Sequence, residues 1–328
     1  MTTTARGGLG PTPPTLGRIS LRSAALILFL LCGLLAPASA ESPTRLEHPA
    51  SDPVHQASEL ESRIDAAADL LWHEKEPGTV SDEQCRETIQ FIMGNMLFVL
   101  LHETGHVMIT EMGLPVLGRE EDAADSFATV MILAMKTMFT DRVLTAAAQG
   151  WFYSDRRDRT EHAPLVFYDA HSLDRQRAYQ IVCLMVGSDP EKFAQLADST
   201  GLPPDRQSTC QGDFSNAEWS WTRLLKDHLR TTQPRTELTV RYGDPTPALE
   251  LYARVMKETR LLETVAQRLS EKYAWRAPFT LEAKTCGGAG ADWNLETRTV
   301  TLCYEMAEQF SALYSRYGAM KNVAQTQP

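Results

Sequence analysis

Hydrophobic and polar positions divide the chain into long helical tracts and a few short alternating ones. Over 56–75, Leu60, Ile64, Ala67, Leu70 and Leu71 recur at helical spacing, which predicts a helix with one buried face. Ser81-Asp82, with Glu83 and Glu87 in the first turns, predicts the start of a second helix. It runs through IQFIMGNMLFVLLHETGHVMI and stops at Gly113, with Pro115 beyond. This tract is apolar almost all round, the pattern of a helix buried inside a protein. A membrane span is the competing reading, and Gln90, Asn95 and the HETGH tract weigh against it. A third helix is predicted from near Arg119 through EEDAADSFATVMILAMKTMF, and others over 174–187, 216–231 and 247–273. Strands are predicted at 236–242, 278–285 and 298–303. No internal repeat or low-complexity linker interrupts this order. The expectation is one mainly α domain with a small β-sheet over 41–328.

The first 40 residues read differently. Residues 1–22 carry Arg6, Arg18 and Arg22 and no acid. The apolar run Ala24–Ala36 follows, then Pro37 and Ala38-Ser39-Ala40. A basic start, a short apolar stretch and a small-x-small end predict a signal peptide, 1–40, cleaved after Ala40. The run is shorter than the roughly 20 residues of a spanning helix, so no stable membrane span is expected after cleavage. Leu31 before Cys32 argues against a lipoprotein site, and the separated arginines against a twin-arginine signal. The protein is therefore expected to be exported, to a periplasm or the extracellular space.

Composition narrows the partners. Hydrophobic residues at 43% and charged residues at 23% are ordinary globular usage and exclude a disordered or fibrous chain. The formal charge is −10, and all three basic residues of the first 40 would leave with the signal. A body this acidic, with no basic run, should not bind nucleic acid.

Export also changes the meaning of the cysteines. Cys85, Cys183, Cys210, Cys286 and Cys303 remain after cleavage, an odd number. Cys286 and Cys303 flank a Gly-rich turn between alternating segments, so they are expected to staple a hairpin. Cys183 and Cys210 bracket a Pro-rich stretch and form the second expected disulfide. Cys85 is left as a free thiol on a helix. No C-x-x-C spacing supports a cysteine zinc site or a redox motif.

The chemistry lies between 102 and 125. His102-Glu103-Thr104-Gly105-His106 is an HExxH on the long apolar helix. Positions i and i+4 share a face, so both imidazoles can reach one metal ion, with Glu103 beside them as a base for an activated water. A solvated charge cluster is the competing reading. The apolar flanks oppose it, because two His and a Glu buried without partners would be costly. A catalytic zinc needs a third protein ligand. Ile109 and Met112 stand where a metzincin needs Gly and His, which excludes that class. Glu121-Asp122-Ala123-Ala124-Asp125 follows after a turn containing Gly113, Pro115 and Gly118. Glu121 and Asp125 are again i and i+4, so one can ligate the metal while the other accepts the free N–H of a ligating His. Compensation of the helix dipole would account for Glu120 and Glu121, but not for Asp125 amid Ala, Phe and Val.

HExxH together with ExxAD resembles the glutamate zincins (gluzincins), in particular the CAAX-prenyl-protease type of zinc membrane peptidase and its soluble relatives. The phrase LHETGHVMITEMGLPVLGREEDAADSFA is more similar to a bacterial family of unknown function regarded as metallopeptidases. The strong part covers about 90–135. The resemblance implies a zincin-like helical core, with His102, His106 and Glu121 as zinc ligands, Glu103 as general base and Asp125 supporting a ligand. The membrane peptidases also carry a His-Pro…Arg segment downstream. His171 and Arg177 look similar to it, although Ser172 replaces the proline. By that likeness His171 or Arg177 would donate to the tetrahedral oxyanion. The alternative is a helix start capped by Ser172 or Asp174. The Gly287–Trp293 tract before strand 298–303 reads either as part of an edge strand that holds extended substrate or as a purely structural hairpin.

The expected function is zinc-dependent hydrolysis of a protein or peptide substrate, with His171 and Glu103 at the reacting atoms. A catalytically inactive, zinc-stabilised binding or scaffold protein is the alternative.

Overall fold

Helices follow the apolar periodicity closely in the first half of the chain. The computed structural model describes residues 52–74 and 81–318, within one compact unit spanning His48–Pro328; the predicted signal peptide lies outside the described residues. Helix α1 spans Pro53–Glu74 and α2 spans Asp82–Met112. The start of α2 is a capping box: Ser81 Oγ accepts from the Gln84 backbone N–H at 3.2 Å, and Gln84 Oε1 accepts from the Ser81 N–H at 3.1 Å. Its end is Gly113 in the left-handed conformation at φ 64°, where a β-carbon would be strained. By length and composition α2 could cross a membrane, yet 94% of its most apolar 18-residue stretch is buried in the protein. It is the central helix of the core, packed against α1 and the three helices that follow from the same logic: α3 (Glu120–Leu133), α4 (Met138–Thr160) and the C-terminal α10 (Tyr304–Tyr317).

The predicted third helix ends early, at Leu133, and α4 was not foreseen beyond its first two residues, Met138 and Phe139. The chain turns at Lys136, which takes a positive φ of 52°, and Thr137 then caps α4 through a second capping box with Thr140. α5 (Asp174–Ser188) matches its prediction, α6 (Ala194–Thr200) was not foreseen, and α7 (Pro204–Leu225) begins a dozen residues before the predicted 216. The tract 247–273 also divides, into α8 (Glu250–Glu258) and α9 (Leu261–Lys272), at Arg260 with φ 53°.

A four-stranded sheet completes the fold: β1 (Thr239–Tyr242), β2 (Thr280–Lys284), β3 (Ala291–Asn294) and β4 (Thr299–Cys303), in the order β1-β2-β4-β3. β1, β2 and β4 are parallel, and β3 is antiparallel to β4 at the edge. The protein is thus mainly α with a small sheet. The hairpin expected between the Cys286 and Cys303 segments is corrected: β2 and β4 run parallel, and the hairpin is β3–β4. The hairpin is fixed to the last turns of α2, where Trp293 Nε1 donates to Thr110 Oγ1 at 2.9 Å and Arg298 clasps Glu111 at 2.5 and 2.9 Å.

Both expected disulfides are present, Cys286–Cys303 between the ends of β2 and β4 and Cys183–Cys210 between α5 and α7, and Cys85 is free and buried. The Cys183–Cys210 link closes a separation of 27 residues inside the helical core. Replacing both cysteines by serine is expected to lower stability by about 2–4 kcal/mol, read from the midpoint of urea unfolding. An unchanged midpoint would show that helix packing alone holds α5 to α7.

Candidate metal centre

The site forms where α2 and α3 approach each other most closely, and a glycine permits the approach. A β-carbon on Gly105 would lie 2.9 Å from the Cα of Ala124. With only hydrogen there, the first turn of α3 settles against the face of α2 that carries His102 and His106. Glu121 then reaches both rings. His102 Nε2 and His106 Nε2 lie 3.1 and 3.3 Å from Glu121 Oε2, and 3.3 Å from each other.

Those three distances form a nearly equilateral triangle. A tetrahedral ion with ligand bonds of about 2.0–2.1 Å has ligand–ligand edges of about 3.3 Å, so the donor set fits such an ion. The other ring nitrogens are held from behind: His102 Nδ1 by Asp125 Oδ1 at 2.8 Å, His106 Nδ1 by Glu120 Oε1 at 2.8 Å. A carboxylate on Nδ1 fixes the proton there and turns the Nε2 lone pair towards the shared centre. Glu120, which dipole compensation alone would explain, therefore has a specific partner that the sequence reading missed.

Electrostatics point the same way. Burial alone would raise the Glu121 carboxyl, but the imidazoles of His102, His106 and His171 around it override this and hold it far below the usual range. Burial pulls His106 down, and its bonds to Glu121 and Glu120 outweigh this and lift it to about 9. Asp125 is 1% exposed, yet Arg177 and His102 keep it ionised, at about 2 against the upward pull of burial. The centre favours positive charge, which is what a cation site requires.

Arg177 stands behind Asp125. Its Nε and Nη2 donate to the two carboxylate oxygens at 2.7 and 2.8 Å, and its guanidinium lies 3.7 Å from the centroid of the Trp151 ring. These donors are engaged away from the open side, so of the two oxyanion candidates only His171 faces the centre. His171 Nε2 is 2.9 Å from Glu121 Oε2 and its Nδ1 is 3.2 Å from Asp169. Its ring is 47% exposed, on the solvent side of the cluster. His102, Glu121 and His171 also place one ligand atom each within 4.8 Å of one another. The helix-cap alternative for this segment is corrected as well. Ser172 Oγ donates to Asp122 at 2.7 Å, and the N-terminus of α5 is closed by Leu173, whose N–H donates to Gln176 Oε1.

Glu103 lies on the β3 side of the cluster. It is 7% exposed, and burial raises its carboxyl against the opposing pull of His102 and His106; Glu121 and Asp292 of β3 add to the rise.

A family model described as "Putative metallopeptidase" matches residues 58–225 and 244–327. No match was found among curated proteins or among solved structures. The family match spans well over half of the chain and includes every residue of the cluster, so the chain belongs to this metallopeptidase family.

Proposed function

We propose that the protein is an exported zinc-dependent endopeptidase whose metal is held by His102, His106 and Glu121. The observation that carries this reading is the 3.1–3.3 Å triangle of their donor atoms. A zinc ion bound there would supply Lewis acidity to a water and to the scissile carbonyl. Glu103 takes the proton from the attacking water and delivers it to the leaving amine; its desolvated carboxyl suits a group that must both accept and release a proton. His171, on the open side, donates to the oxygen that becomes negative as the carbonyl turns tetrahedral. Asp169, bonded to His171 Nδ1, orients that ring.

Extended substrate would lie along β3. That strand forms the edge of the sheet, is anchored beside the HExxH turn of α2, and carries Asp292 close enough to Glu103 to act on its charge. Pairing with the substrate main chain gives affinity with little demand on side chains. The arrangement supports the zincin-like reading of the core and a single catalytic domain over 41–328. Two disulfides support export, since such bonds persist in oxidising compartments.

The test is metal analysis of the mature protein after zinc loading and desalting, paired with hydrolysis of casein and peptide libraries. One equivalent of zinc with cleavage supports the reading. Zinc without cleavage favours the scaffold alternative, and less than about half an equivalent removes both.

Asp125 gives a sharper check. An Asn at that position keeps the shape but offers His102 Nδ1–H only a neutral oxygen, and it leaves the Arg177 guanidinium without its counter-charge. Asp125→Asn is expected to weaken zinc affinity about 10–100-fold in competition with a chelator. Equal affinities would mean that Asp125 does not support the ligand.

A further inference from the structure

A cavity of about 80 Å³ is walled by α1, α2, α3 and α9. Leu60, Leu97, Phe127 and Val265 make most of its lining apolar. Two hydrogen-bond donors nevertheless meet there on a thioether, with no oxygen acceptor among the described residues. Tyr273 is 2% exposed, and among the described residues its hydroxyl has only the Met131 thioether, at 3.8 Å. The Lys272 ammonium lies 3.8 Å from the same sulfur, and no carboxylate pairs with it among the described residues. Arg268, at the rim, donates to Gln56 Oε1 at 3.3 Å.

A thioether is a poor acceptor, and a phenol and an ammonium converging on one from two sides leave most of their bonding capacity unused. Tyr273 is buried and Lys272 half-buried, and desolvating such groups without good partners is unfavourable. Burial accordingly lowers both Lys272 and Arg268, and for Lys272 the neighbouring Arg268 adds to the fall. Glu271 and Asp52 act on Arg268 through charge but are not part of the cavity wall; Glu271 accepts from Gln56 and Gln267 and lies 3.9 Å from Arg235. The missing complement is an anion small enough to sit at Met131, attached to something apolar.

We infer that this cavity is a binding site for a carboxylate bearing a short aliphatic tail. The carboxylate displaces the Met131 sulfur and accepts from Lys272 and Tyr273, with Arg268 at the entrance, while the tail fills the apolar interior. At about 30 Å³ for a water-sized group, the cavity holds roughly three carbon-sized groups. That is the size of the tail of butyrate or of the side chain of a C-terminal valine. The wall includes Leu101, adjacent to His102, so an occupied cavity abuts the helix that carries the metal ligands.

Calorimetric titration of the zinc-loaded protein with butyrate, N-acetyl-valine, 1-butanol and butylamine tests this, and the first two separate a fatty acid from a peptide C-terminus. At least one carboxylate is expected to bind saturably and at least about tenfold more tightly than butanol, with butylamine not binding. Lys272→Met should weaken the carboxylate about tenfold or more and leave butanol unchanged, and Tyr273→Phe should weaken it severalfold. Carboxylate binding that ignores both substitutions would place it elsewhere, for instance on the zinc, and would overturn the inference. So would the absence of saturable binding, or an alcohol bound as tightly as the acid.

Discussion

Glu103→Gln is expected to lower the rate of peptide hydrolysis by about 10²–10⁴-fold while zinc remains bound at one equivalent. The substitution changes almost nothing in shape. It removes a group that can accept a proton from water, and an amide cannot replace it at any accessible pH. The metal ligands are untouched, because Glu103 makes no hydrogen bond or ion pair with His102, His106 or Glu121 and acts on them only through charge. The variant should fold normally. Deleting a buried carboxylate that burial already disfavours should leave stability unchanged or slightly raised. The measurement is kcat on one cleavable peptide, with zinc content and the thermal midpoint recorded on the same samples. Retained cleavage with full zinc would show that another group carries the proton, and loss of zinc would show that Glu103 belongs to the ligand set.

The parts of this protein that were legible in its sequence are those decided locally. The capping box at Ser81, the left-handed stop at Gly113 and the uninterrupted apolar tract between them define α2 without reference to any partner. HExxH and ExxAD were legible for the same reason, since i and i+4 spacing on one helix fixes which side chains can converge. The divisions at Lys136 and Arg260 were not. Neither break carries Gly or Pro, and in both the apolar spacing continues past a single residue at positive φ. The start of α7 was hidden by Pro203-Pro204, which reads as loop although proline suits a first helical turn. The pairing of β2 with β4 was hidden by topology, because a parallel pair is set by the packing of the elements around it and by no short turn. In the site, Glu120 was illegible because a first-turn acid has a sufficient local explanation. Trp151 was illegible because it sits on the part of α4 for which no helix was predicted.

Replacing His171 distinguishes the two roles its position allows. Its Nε2 approaches Glu121 at 2.9 Å from the exposed side, close enough to the centre either to donate to a reacting carbonyl oxygen or to join the ligands. As a donor it strengthens its bond only as negative charge develops. His171→Ala should then lower kcat by about 10²–10³-fold, with KM little changed and zinc affinity preserved. As a fourth ligand it would contribute to zinc affinity directly, and chelator competition would show the loss before any assay of turnover. The triangle of His102, His106 and Glu121 is complete without His171, and Asp125 and Glu120 fix its two rings independently. Donation is therefore the expected outcome: a variant that holds zinc as tightly as the parent and cleaves slowly. A variant that loses zinc would move His171 into the ligand set and leave the oxyanion without a named donor.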